Sequence, residues 1–285
     1  MNPRLTDRIA TAFFWLNGIL IIAILGWFLF RILGDGLPHL SWNFVTGKPQ
    51  EMLAGGGVGP QLFNSFYILL LSLLFSLPIG LGAGIYLAIY AKKNRFTEWI
   101  RICVEALASI PSIVFGLFGL LLFVTLCNFK FSILSGALAL ALLNLPVLVR
   151  VTEESLRSIP SVYWEASLAL GSTRWQAIRK VLIPAALPNL ITGISLVSGR
   201  ALGESAILIY TAGLSVSRFF PDFNPLAPGE TLAVHLWYVQ SEATVPDAKQ
   251  IAQGSAAVLV IMVLVFNLLI ALPSQWLQKR LFGGK

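Results

Sequence analysis

Two ionisable residues, Arg200 and Glu204, interrupt residues 187–212, a run otherwise free of charge. A charge at the centre of a membrane-spanning helix costs roughly 2.5–3.5 kcal/mol even on the lenient insertion scale, so something must offset each of them. Their i, i+4 spacing puts both on one face of a continuous helix and predicts that they pair. Two uses of the pair stay open. It can tie its helix to a neighbour, or the guanidinium can offer its fork of N–H donors to a passing oxyanion, with Glu204 holding Arg200 when no anion is present. Arg150 ends another apolar run, 131–149. Snorkelling of its side chain to the membrane surface explains that position; an anion contact at the mouth of a path is the alternative.

The other stretch with a mixed set of charged, aromatic and small residues is EASLALGSTRWQAIRKVLIP, residues 165–184. Ser161 after Pro160 opens a helix and Gly171 closes it. Thr173 with Gln176 forms a capping box for a second helix that runs to Pro184. Val162, Ala166 and Ala169 or Leu170 make one apolar stripe and Trp175, Ile178 and Leu182 another, while Glu165, Arg174, Arg179 and Lys180 point elsewhere. Apolar side chains on a short connector make a poor solvated surface and suit a groove on another protein. His39 and His235 stand alone and read as solvated loop histidines, not as a metal site. Cys103 and Cys127 are 24 residues apart, about 36 Å at helical rise, and cannot pair within the chain. The glycine run GGGVGP, residues 55–60, lacks the Gly-Lys-Ser/Thr of a phosphate cradle and reads as a flexible loop. No Walker A sequence occurs, so the chain shows no nucleotide-binding loop of that kind, and no cofactor is expected.

The elements that position these residues follow from composition. Hydrophobic residues make up 56% of the 285 and charged residues 12%, with a mean hydropathy of +0.80, far from the balance of soluble domains. A bilayer core about 30 Å thick needs roughly 20 apolar residues in a helix. Six spans are expected, at about 9–31, 62–91, 106–129, 131–150, 187–212 and 251–277, with a connecting loop at about 151–186. Runs of this length suit helices, not barrel strands. The fold class is therefore all-α integral membrane, in a single domain over 1–285. Fourteen of the twenty Lys and Arg fall on the side of the N-terminus and five on the other, which places both termini in the cytoplasm. That distribution accounts for the net charge of +7 without nucleic acid. The first span is too long for a signal-peptide core and reads as a retained anchor. Around Pro78, LPIGLGAGIY offers small residues for close helix approach. On the far side, ETLAVHLWYVQ, residues 230–240, forms a short helix lying on or re-entering the membrane. Its aromatic neighbours serve as an interfacial belt or as a dock for an external protein.

Segment 165–184 also resembles the EAA loop of ABC importer permeases, whose pattern is Glu-Ala-Ala, three residues, Gly, nine residues, Ile, one residue, Leu-Pro. Glu165, Ala166, Ser167, Gly171, Val181, Ile183 and Pro184 fall on it, with Ser167, Val181 and Ile183 as conservative departures. In that family the loop is the coupling helix that docks into the ATPase, which implies a docking role for Glu165, Ala166, Ser167, Gly171, Trp175 and Pro184. SIPSIVFGLFG (109–119), LPVLVRVTEESLRSIP (145–160) and GRALGESAILIYTAG (199–213) extend the resemblance, nearly end to end, to the permeases of bacterial phosphate ABC importers of the PstA type.

The resemblance implies a type I, MetI-like permease fold in the bacterial inner membrane. It also implies a second permease of the PstC type, an ATPase dimer of the PstB type and an extracytoplasmic phosphate-binding protein. Arg200, Glu204 and Arg150 become substrate-path residues, and Glu204 a site for the proton that phosphate carries at neutral pH. Two readings compete with this one: an ABC permease for another small anion, and a proton-coupled carrier that uses Glu204. An intramembrane enzyme finds no support, because apart from Arg200 and Glu204 no ionisable cluster lies within an expected span, and no metal motif occurs there.

Overall fold

The computed structural model describes residues 3–50, 55–92, 94–242 and 245–282, and within these the side chains other than those of 3, 5, 6 and 274–282. Lys93 and Lys285, two of the cations that set the expected topology, lie outside the described residues. In chain order the helices are α1 (Pro3–Gly36), α2 (Trp42–Thr46), α3 (Gly59–Ile85), α4 (Arg95–Ala108), α5 (Ser112–Gly119), α6 (Ile133–Arg157), α7 (Ser161–Ala169), α8 (Arg174–Ala177), α9 (Ile183–Leu202), α10 (Ala206–Thr211), α11 (Leu232–Ser241) and α12 (Ala248–Phe282). Wider π-turns extend α3 over Tyr86–Tyr90 and α5 over Leu120–Leu126, and a third, Ile178–Leu182, joins α8 to α9. Among the described residues the one strand-like pairing is an isolated bridge between Val216 and Gly229.

Among the described residues five stretches are long and apolar enough to cross a membrane: Asp7–His39, Gly59–Tyr90, Ile133–Arg157, Arg174–Leu202 and Ala248–Pro273. A sixth exists only if Arg95–Ala108 and Ser112–Leu126, bent by 93° at their junction, count together. The expected third span, 106–129, is thus not one helix. Ala106 to Ala108 belong to α4, which starts at the Asn94 cap, and Pro111 caps α5 from an extended conformation, because a proline disfavours helix in the residue before it. Helix α4 is amphipathic: Phe96, Trp99 and Ile102 are exposed on one side, while Arg101 turns inward to Glu153.

The expected fifth span, 187–212, also divides. Helix α9 stops at Leu202, the amides of Gly203 and Glu204 turn back to the carbonyls of Arg200 and Ala201 in tight i→i+3 bonds, and α10 starts afresh and packs on α5 and α6. At its other end the span is longer than expected. Helix α8, the π-turn and α9 form one apolar stretch from Arg174, so the helix does not end at Pro184. Proline has no N–H to donate, and the π-turn just before it accommodates the missing bond. Most of the expected loop 151–186 is likewise helical, since α6 runs on to Arg157. GGGVGP is no flexible loop either. Val58 is fully buried, the amides of Gly57 and Gly59 donate to the carbonyls of Lys48 and Gly47, and a Cβ on Gly57 would lie 2.7 Å from Gly47 backbone atoms.

The core lies where α3 packs along α6, with α10 and α12 closing it. Lipid supplies no hydrophobic drive between helices, so close van der Waals approach matters most. Gly80 and Gly84 allow it: a Cβ on Gly80 would meet the Cβ of Leu148 at 2.7 Å, and one on Gly84 the Cβ of Thr152 at 2.4 Å. Gly82 has no atom within 4 Å of such a Cβ. A polar tie joins α9 to α12, where Ser195 Oγ donates to Asn267 Oδ1 at 3.0 Å and Asn267 Nδ2 to the Val263 carbonyl at 2.9 Å. Helix α1 is peripheral and exposed over most of its length, touching α12 near Gly36. Replacing Gly84 by Ala is expected to destabilise the protein by about 1–3 kcal/mol through overpacking. Gly82→Ala should be near neutral, and thermal unfolding of both variants in detergent checks the contrast.

Candidate functional site

Three groups of residues carry the chemistry. The first is the knob formed by α7 and the turn after it. Gly171 adopts φ +81°, a left-handed conformation that glycine takes without penalty, and this reverses the chain between α7 and α8. The Thr173 amide donates to Gln176 Oε1 at 2.9 Å, and the Gln176 amide to Thr173 Oγ1 at 3.3 Å, which completes the capping box. Ser167 is buried, and its hydroxyl lies 2.7 Å from that of Ser172. Leu170 is 89% exposed, Val162 67% and Trp175 56%; Glu165 and Ala166 are exposed as well. Beside them is an open groove of about 520 Å³ that includes Tyr163, Ala166, Leu170, Gly171 and Lys180. The second expected stripe divides: Trp175 faces out, whereas Ile178 and Leu182 are buried against Leu156, Ala186 and Leu190. Those inward residues fix the knob to α6 and α9. Pro184 lies in the first turn of α9, away from the knob's exposed tip.

The second group is Arg200 and Glu204, which lie four residues apart in the sequence but do not pair in the structure. Among the described residues no carboxylate lies within ion-pair distance of Arg200. The expectation of an i, i+4 pair fails because Glu204 sits in the break beyond Leu202, where the helical register that would align the two is lost. Arg200 is exposed and Glu204 half-buried. The backbone turn between them leaves the guanidinium unengaged by its nearest carboxylate in sequence.

The third group holds Arg150. Its Nε donates to Glu154 Oε1 at 2.8 Å, and Glu105 lies 3.9 Å from its Nη1. Close by, Arg101 donates to Glu153 at 2.9 Å and to Glu98 at 2.6 Å, and Arg157 meets Glu153 at 3.0 Å. This network links α4 to α6 around a cavity of about 190 Å³. It was not foreseen, because residues past 150 were expected to form a loop; the signal was the i, i+4 spacing of Arg150 with Glu154 and of Glu153 with Arg157. A second unforeseen cluster, Gln61, Glu230 and His235, is buried at the opposite face, so His235 is not a solvated loop histidine. Asp222, in the exposed segment between α10 and α11, has its carboxyl held below the usual range by hydrogen bonds from the Ser217 hydroxyl and the Asn224 amide.

Comparison with known proteins gives a consistent result. The family described as "Binding-protein-dependent transport system inner membrane component" matches residues 80–283. A probable ABC transporter permease protein, YqgI of Bacillus subtilis, is 48% identical over 292 residues, covering 99% of this chain and 98% of its own. The phosphate transport system permease protein PstA of Haemophilus influenzae is 36% identical over 243 residues, covering 85% and 84%. Among solved structures, the inward-facing MetNI methionine ABC transporter superposes with a TM-score of 0.59 at 20% identity, covering 78% of this chain and 94% of that one. At that identity the likeness carries the fold alone.

The charge network generates a stability prediction. Glu153 serves two arginines from a largely buried position, so Glu153→Gln should cost about 1.5–3 kcal/mol, the range for hydrogen bonds to charged groups. Arg150→Lys, at a largely exposed site, should shift stability by under about 1 kcal/mol. Thermal unfolding in detergent separates the two.

Proposed function

This chain belongs to the binding-protein-dependent transport system inner membrane components, and on that premise we propose that it is the PstA-type permease of an ATP-driven phosphate importer. The coarser part is plain. The chain is an ABC transporter permease of the MetI-like type, a multi-pass inner-membrane transport subunit and not an enzyme, and such permeases work with ATPase subunits and a substrate-binding protein. Phosphate as the substrate is supported by the identity to PstA over most of both chains. The chemistry of Arg200 supports it too, since a guanidinium within an apolar run, with no carboxylate partner among the described residues, suits an oxyanion.

In this reading both termini are cytoplasmic, a PstC-type permease completes the path, and a PstB-type ATPase dimer receives the knob. The observation that carries the coupling role is the division of the knob. Leu170 and Trp175 present apolar surface outward, while Ile178 and Leu182 anchor the same element in the membrane domain. Docking energy can therefore move α9 as a lever when the ATPases close. Arg200 would contact phosphate in transit, Glu204 would take part as a proton acceptor beside it, and Arg150 would stand near the inner mouth.

The test is uptake by the reconstituted complex. Labelled phosphate, not sulfate, should be imported in an ATP-dependent, vanadate-sensitive manner. Sulfate import in its place would reassign the substrate, and vanadate-insensitive uptake would favour a carrier. Arg200→Gln should insert, assemble and hydrolyse ATP, yet lose about one to two orders of magnitude of phosphate transport, the equivalent of one charged hydrogen-bonded contact. Glu204→Gln should behave in the same direction. Leu170→Asp should leave the membrane domain folded but abolish co-purification of the ATPase; retained docking would remove the knob from that role.

A further inference from the structure

Helix α4 crosses the end of the bundle where α3 and α6 stop. Arg101 fixes it there: its Nε donates to Glu153 Oε1 at 2.9 Å, near the end of α6, and its Nη2 to the Leu87 carbonyl at 3.4 Å, in the π-turn that extends α3. Thr97 is buried in the first turn of the same helix. Helix α5 packs on α6 and α10 inside the bundle, and α4 stands at 93° to the stretch that α5 begins. Helix α4 therefore runs across the bundle, at the level where its helices end.

On a helix of 3.6 residues per turn, Phe96, Trp99, Ile102, Cys103, Ala106 and Leu107 fall on one stripe about 140° wide. All six are exposed, Phe96 at 71%, Trp99 at 66% and Ile102 at 57%. Glu98 and Glu105 fall on a separate edge, where they meet Arg101 and Arg150. The helix thus has one side for the protein, a charged edge for water, and an apolar stripe that suits neither. An amphipathic helix of this kind, with an indole among its apolar residues, belongs in the boundary between lipid headgroups and acyl chains. Its first turn carries the charge that such a boundary attracts. Lys92 and Arg95 are exposed there, and Glu98, one turn on from Arg95, is engaged by Arg101 at 2.6 Å. Arg95, Trp99 and Ile102 line one shallow groove of about 470 Å³. A headgroup phosphate suits the guanidinium, and an acyl chain suits the two apolar side chains beside it.

We propose that α4 is an interfacial anchor: its apolar stripe lies at the acyl boundary of the leaflet on the knob's side, and Lys92 and Arg95 hold anionic phospholipid headgroups over it. The pairing of Arg101 with Glu153 then keeps the end of α6 at headgroup depth. The inference holds whatever substrate crosses.

Nitroxide labels on single cysteines of the assembled transporter, in nanodiscs of phosphatidylglycerol and phosphatidylcholine, read the depth of α4. The native cysteines are Cys103 and Cys127, so one variant keeps Cys103 with Cys127→Ser, and others carry Ile102→Cys or Glu98→Cys with both native cysteines replaced by Ser. The ratio of accessibility to oxygen over accessibility to a water-soluble nickel chelate should be several-fold higher at 102 and 103 than at 98. Equal ratios at all three positions leave the stripe in water and overturn the proposal. Labels at 102 and 103 shielded from both reagents place another protein on the stripe and overturn it as well. Should Glu98→Cys fail to assemble, Glu105→Cys, on the same edge, takes its place. Photoactivatable phosphatidylglycerol should mark the peptide 95–108 in preference to the phosphatidylcholine probe. Arg95→Gln should lower that preference about fivefold, the equivalent of the roughly 1 kcal/mol that one cation gains near an anionic surface. No preference in the native protein, or an unchanged one in Arg95→Gln, overturns the headgroup contact.

Discussion

A polypeptide in hydrocarbon must satisfy its own backbone hydrogen bonds, and the rest of this structure depends on that constraint. It accounts for the all-helical architecture and for the way the helices meet. With lipid as apolar as leucine, α3 and α6 gain little from hydrophobic burial and associate by contact. Gly80 and Gly84 therefore sit where α6 presents Leu148 and Thr152. Several polar side chains inside the bundle turn to carbonyls of their own helix, as Thr152 and Thr211 do, or to a facing helix, as Ser195 does with Asn267.

The same constraint makes the two helix breaks informative. The backbone leaves the helical pattern at 109–111 and again at 203–205. Irregular backbone at membrane depth is tolerated only where protein covers it or where it borders a polar cavity. At the second break the amides of Gly203 and Glu204 remain bonded through tight turns, so the cost falls on side chains. Arg200 is left without a carboxylate partner among the described residues, and a cation in that position needs a neighbouring subunit, water or an anion to be tenable. Structure and proposed transport chemistry meet at this point.

The opposite problem is solved at the knob. In the proposed arrangement the chain leaves the membrane there, polar groups are easily hydrated, and the unusual feature is exposed apolar surface. The turn at Gly171 and the capping box at Thr173 hold the knob's shape locally, while Ile178 and Leu182 tie it to the bundle. Close to this face the network of Arg101, Arg150 and Arg157 with Glu98, Glu105, Glu153 and Glu154 binds α4 to α6, whose end leads directly into α7. The knob is therefore tied to two spans, one through α6 and one through α9.

By itself the sequence determined what depends on local chemistry: membrane residence from the apolar runs, the glycine turn, the capping box, the EAA pattern and the pair of charges in the fifth run. These are properties of neighbours in the chain, with spacings short enough to read. It did not determine where apolar runs stop being single helices, since hydropathy is blind to the direction of the backbone; 106–129 and 187–212 looked continuous and are not. The i, i+4 relation of Arg200 and Glu204 was legible, but its meaning depended on a helix that ends between them. Burial of His235 with Glu230 and Gln61, and of the glycines at 57–59, was decided only by tertiary structure. Each is set by residues brought from 169 or 174 positions away or by a backbone packed against another stretch of backbone, contacts that leave no periodicity in the chain.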